Sequence, residues 1–123
     1  MPDAAELLAR YAWAMDTRNW EALADLLTDD VRFSLEIAGA DAPPPVQGNA
    51  EVVGFIRAAL EAGEGTVRHV ITNVRVDGAT AGAYLILTAA SPEAAEVRST
   101  AVYECDIDDG RLARIHIAFD RPF

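Results

Sequence analysis

Residues 7–30 read LLARYAWAMDTRNWEALADLLTDD, and the way this stretch divides decides the fold. Leu7, Leu8, Tyr11, Ala12 and Met15 recur at the 3.6-residue period, which predicts one amphipathic helix running to about Asp16. Asp3 is placed to cap it, with Glu6 three positions on as in a capping box. The polar run Asp16-Thr17-Arg18-Asn19 breaks the stripe. Asn19 can cap a second helix from Trp20 to about Leu27, with Leu23, Leu26 and Leu27 inward, and Thr28-Asp29-Asp30 reads as a turn.

Downstream, Val31, Phe33, Leu35 and Ile37 alternate with Arg32, Ser34 and Glu36, the period-two signature of a half-buried strand. Residues 38–47 contain Pro43-Pro44-Pro45 and are expected to form neither helix nor strand, but a loop able to cover a pocket mouth. Asn49 is placed to cap a third helix over 50–62, with Val52, Val53, Phe55, Ile56, Ala59 and Leu60 on its apolar side and Gly63 and Gly65 ending it. Strands are predicted at 66–76, 79–90, 96–107 and 111–119, with hairpin turns at Asp77-Gly78 and Asp108-Asp109-Gly110 and a connection over 91–95. The order is α-α-β-α-β-β-β-β. It predicts a cone-shaped α+β barrel: three N-terminal helices on a curved antiparallel sheet, with a pocket between them.

Composition limits the chemistry. The 123 residues form one domain, 51% hydrophobic, with a formal net charge of −10 and a pI near 4.4. A chain so acidic has no basic face for nucleic acid. All ten basic residues are arginine, which excludes lysine Schiff-base or lysine general-base catalysis. One cysteine, Cys105, forms no internal disulfide and reads as core; two distant histidines, His69 and His116, make no zinc motif. No metal and no cofactor is expected. No apolar run is long enough to span a membrane and no signal peptide is discerned, so the cytoplasm is the expected setting.

The segments RYAWAMDTRNWEALADLLTDDVRF, RHVITNVRVDGATAGAYL and STAVYECDIDDGRLARI together resemble the SnoaL-like branch of the nuclear transport factor 2-like superfamily over essentially the whole chain. That superfamily includes ketosteroid isomerases, scytalone and bile-acid dehydratases, polyketide cyclases, limonene epoxide hydrolase and binding modules, so fold does not choose the function. The resemblance places Tyr11 at the oxyanion-donating tyrosine of ketosteroid isomerase. The isomerase base falls near Leu35, which is not acidic, and its oxyanion-hole aspartate near Tyr103. Asp16 and His69 fall at the aspartate–histidine pair of scytalone dehydratase, and the Tyr11-to-Asp16 spacing is that of bile-acid dehydratases. The second dehydratase histidine has no counterpart between residues 70 and 115. The resemblance also implies a homodimer through the outer sheet face, where strand parity puts His116.

A carboxylate-tethered imidazole can take a proton alpha to a carbonyl or give one to a leaving hydroxyl near neutral pH. The expectation is therefore a cofactor-independent dehydratase, isomerase or cyclase for a small hydrophobic oxygenated ring compound. In it His69 is the general base/acid, Asp16 its orienter, and Tyr11 or Tyr103 the oxyanion donor. Met15, Phe33, Leu35, Phe55, Ser99, Tyr103, Ile115 and Phe119 are the expected substrate-contacting residues. Parity turns Val97, Ser99, Ala101, Tyr103 and Cys105 inward and Arg98 outward, which disfavours an Asp16–Arg98 epoxide-hydrolase site. Two plainer readings stand beside these: Asp16 as a helix-boundary residue with His69 as a satisfied core histidine, and a non-catalytic binding or assembly module.

Overall fold

The structure, a computed structural model, describes residues 3–62, 67–90 and 95–121. Its elements run α1 (Ala4–Asp16), α2 (Trp20–Asp25), β1 (Leu27–Ile37), β2 (Val46–Gln47), α3 (Asn49–Ala62), β3 (Val67–Asp77), β4 (Thr80–Ala90), β5 (Ala95–Asp108) and β6 (Arg111–Phe119). Asp3 starts α1 by accepting the Glu6 N–H at 2.7 Å, and Asn19 starts α2 by accepting from Ala22 at 3.1 Å. Both caps match the expectation. The end of α3 at Gly63 and Gly65 and the connection over 91–94 lie outside the described residues.

Among the described residues, six strands form one open sheet in the order β2-β1-β6-β5-β4-β3. Neighbours are antiparallel except β1 and β6, which pair in parallel. Each of the four long pairings carries one register shift. An extra residue on one strand bends it and increases the local twist, so four such shifts curl the sheet without closing it. At the β3 shift Asn73 takes φ 54°, and it and Val74 stand opposite Ala83 alone. Asn73 is thus a bulge residue.

Three expectations change. Thr28-Asp29-Asp30 is not a turn but part of β1, where residues 28–31 bulge against Ala113 of β6. Leu27 pairs with Leu112 before the bulge, so the strand begins four residues earlier than its alternation suggests. Residues 38–47 are not wholly irregular either: Val46 and Gln47 lie past the prolines, keep their N–H groups, and bridge to Phe33 and Arg32. Finally, Asn49 does not cap α3. It is the first helical residue, and its Nδ2 donates to Ala24 O at 2.9 Å, Leu27 O at 3.1 Å and Thr28 O at 3.4 Å. One amide thus ties α3 to the end of α2 and the start of β1.

The core fills the concave side. Leu7, Leu8, Tyr11, Ala14 and Met15 from α1 and Leu23, Val52, Ile56 and Leu60 from α2 and α3 pack on the inward strand residues. Among the described residues no helix is long and apolar enough to cross a membrane.

Candidate functional site

α1 lies against β3, the strand at the open edge of the sheet. An edge strand presents outward N–H and C=O groups with no ladder partner, and the end of α1 supplies the partners here. Asp16, the last helical residue, accepts the His69 backbone N–H at 3.1 and 3.2 Å through its two oxygens. The same carboxylate meets the imidazole: Asp16 Oδ1 stands 2.8 Å from His69 Nδ1. Asp16 therefore holds both the strand and the ring, which fixes the ring's rotation as well as its position.

That geometry assigns the proton. A carboxylate only accepts, so Nδ1 carries the hydrogen and Nε2 of the neutral ring carries the lone pair. The His69 side chain is 8% exposed and the Asp16 side chain 22%. Nε2 has no hydrogen-bond partner among the described residues, yet no fully buried side-chain nitrogen there is left unpaired. The ring thus turns an accessible basic nitrogen away from Asp16.

Five residues back along α1, Tyr11 is buried and meets Tyr103 edge to face, with ring centroids 6.0 Å apart. A side-chain hydrogen bond joins them. Burial first of all pushes the Tyr11 phenol up, while the bond from Tyr103 acts the other way. Tyr103 is raised by burial and then by Tyr11, Cys105 and the negative charge of Asp16. Beneath them the buried Cys105 thiol is pushed up to about 12, chiefly by burial, and is a core residue.

The expected lining residues fall in two groups. Met15, Phe33, Tyr103, Ile115 and Phe119 are buried inward, with Leu35 and Phe55 half-buried; Phe33 and Phe55 pack at 5.6 Å between centroids. Ser99 also points inward and is fully buried, but its hydroxyl donates to Asp120 Oδ1 at 3.0 Å. Asp120 further accepts from Thr100 N and Oγ1, so it fastens β5 to the chain after β6. Val97 is a correction. It is 54% exposed because the register shift between Leu87/Ser99 and Thr88/Val97 inserts one residue and reverses the parity there. The Arg98 side chain lies outside the described residues.

His116 faces the outer side, as parity requires. Its Nδ1 lies 2.6 Å from Ser34 Oγ and its Nε2 3.2 Å from Glu36 Oε2, so it spans the parallel β1–β6 seam. A cavity of about 350 Å³ also opens on the outer side, with Thr72, Tyr84, Ile86, Thr100, Val102 and Ala118 in its wall; it touches neither Asp16 nor His69. Among the described residues no three histidine, cysteine or acidic side chains gather as a metal site.

Two features went unseen in the sequence. One is Arg18, which donates to Met15 O and, at 3.4 Å, to Val67 O. The other is the Asn49 amide described above. Neither the Arg18 bond to Val67 nor the Asn49 bonds carry a signal in spacing, because they join segments distant in the chain.

No curated protein matches the sequence. Solved structures do. A candidate ketosteroid isomerase from Kribbella flavida is 22% identical with a TM-score of 0.71, over 95% of this chain and 77% of that one. A candidate polyketide cyclase from Sinorhizobium meliloti is 25% identical with a TM-score of 0.69, covering 95% and 94%. A protein from a soil-derived mobile gene cassette superposes with a TM-score of 0.76 at 16% identity, covering 94% and 87%. The SnoaL-like domain family matches residues 3–111. With nearly the whole described chain inside that match and the same curled sheet under three helices, this chain belongs to the SnoaL-like family.

Proposed function

We propose that the protein is of the isomerase or cyclase kind and works without a cofactor, on a small hydrophobic compound bearing a ring carbonyl. The family and the neighbours named as isomerase and cyclase support the general kind. The observation that carries the finer reading is the double grip of Asp16 on His69, which presents Nε2 as a positioned base. Nε2 takes a proton from the carbon next to the carbonyl, and the new imidazolium is held against Asp16. The enolate oxygen accepts from the hydroxyl of Tyr11 or Tyr103, both of which burial keeps protonated. The proton then returns to another carbon in an isomerisation or to a departing hydroxyl in a dehydration. In a cyclisation the enolate carbon attacks a second carbonyl, and the imidazolium returns the proton to the alkoxide formed there.

A panel of cyclic ketones incubated with the protein in deuterium oxide tests this by NMR. Deuterium should enter at the alpha carbon, and His69→Ala should slow entry by about 10²- to 10⁴-fold, the usual worth of a positioned acid/base group. Exchange that is unchanged in His69→Ala rules the assignment out.

We also propose that the protein pairs with a second copy through the outer sheet face. Val70, Tyr84, Val97 and Val102 are large, apolar and 45–54% exposed there. The other half of that face carries both signs of charge: Arg114 bonds Asp106 at 2.9 Å beside Glu104, and His116 bonds Glu36. A patch with an apolar half and a half of mixed charge can complement itself about a two-fold axis.

A further inference from the structure

Arg18 stands where a helix of this kind ordinarily ends in glycine. The end of α1 is a Schellman motif: Asn19 N–H bonds Ala14 O at 2.9 Å, and Arg18 N–H bonds Met15 O at 3.1 Å. Arg18 is its left-handed residue, with φ 58°. Glycine takes that conformation without cost, whereas a side chain there strains the backbone. Strain kept at one position points to something the side chain supplies.

What it supplies is a bridge. The guanidinium donates to Met15 O, the carbonyl just before Asp16, and to Val67 O at 3.4 Å, two residues before His69. Both Val67 O and His69 N–H lie on the open edge of β3, since residues two apart in a strand point their backbone groups the same way. Asp16 takes the N–H, Arg18 takes the carbonyl, and Arg68 Nη1 donates to the same carbonyl at 3.0 Å. Burial and the neighbouring Arg68 both push the Arg18 guanidinium down, while Asp16 holds it up. Arg18 is thus half-buried against a like charge in a strained backbone, three unfavourable conditions at one residue.

We propose that Arg18 is a positioning residue for the Asp16–His69 pair: it clamps the end of α1 to the edge of β3 and so sets the distance between carboxylate and imidazole. The idea rests on the proposed role of His69, but its test needs no substrate. The readout is solvent exchange of the His69 Nδ1 proton, followed by ¹⁵N-edited NMR. Arg18→Gly removes the clamp and relieves the backbone, so its melting temperature should equal or exceed that of the parent. Its Nδ1 proton should nevertheless exchange about ten times faster or more. Arg18→Lys keeps a cationic donor near Val67 O and should restore exchange to within about threefold. Two results overturn the idea: an Nδ1 proton equally protected in Arg18→Gly, or an Arg18→Gly protein that melts lower and loses β3 amide protection in step with His69. A protected pair in a protein whose His69→Ala variant keeps full deuterium exchange would instead sink the proposed function alone.

Discussion

At the scale of single residues, Asp16 does with one carboxylate what a strand neighbour and a side-chain partner of the imidazole would otherwise do separately. It covers the unpaired N–H of an edge strand and fixes the tautomer of the ring attached to it. The helix-boundary reading of Asp16 and the functional reading are therefore compatible, because the same residue ends α1. The two buried tyrosines behave differently. Both are raised above the ordinary tyrosine range, so the folded chain keeps protons that the unfolded chain releases above about pH 10. The unfolded state then binds fewer protons, and stability falls as pH rises through that range by about 1.4 kcal/mol per pH unit for each such tyrosine. Urea midpoints measured from pH 8 to 11 should show this decline. A Tyr11→Phe/Tyr103→Phe double variant should lose the part of the slope above pH 10 that the tyrosines supply and keep the part that the raised Cys105 thiol adds from about pH 9; an undiminished slope above pH 10 would place its origin elsewhere.

Elements are set in place by a few long-range polar contacts more than by their own caps. The caps at Asp3 and Asn19 are local and readable, since each acceptor serves an N–H three residues on. Asn49 has the residue type of a cap but spends its amide on three carbonyls of another segment. Replacing it with alanine leaves those half-buried carbonyls with one donor fewer and should cost about 1–3 kcal/mol in urea denaturation. Asn49→Asp should cost more at neutral pH, because a carboxylate would face three carbonyl oxygens and donate nothing. An aspartate variant as stable as the parent would mean that water serves those carbonyls equally well. The strand register teaches the same lesson. Alternation predicts Ser99, Ala101, Tyr103 and Cys105 inward, and they are; one inserted residue turns Val97 out.

For the molecule as a whole, the open sheet gives two faces with different fates. The concave face takes the helices and the core. The outer face keeps Tyr84 and Val102 exposed at 45% and 46%, beside a cavity of about 350 Å³. If a second copy covers this face, Tyr84→Arg should halve the mass seen by sedimentation equilibrium at micromolar concentration without lowering the melting temperature of the monomer. A parent protein that sediments as a monomer would refute the pairing. The chain's net charge of −10 opposes association, so the dimer should strengthen as salt is added.

The sequence alone determined the three helices, the long strands, their inward and outward parity except at Val97, and the two hairpin turns and two helix caps that punctuate them. These depend on periodicity and on turn chemistry, which act over a few residues. It also nominated Asp16, His69 and Tyr11 through resemblance. Only the tertiary structure decided that Asp16 grips His69 twice, that Tyr103 is the partner of Tyr11, and that Arg18 and Asn49 tie distant segments together. It also decided where the bulges fall. The reason is physical: a hydrogen bond between residues 16 and 69 or 24 and 49 depends on how helices lie across the sheet, and no local pattern encodes that angle.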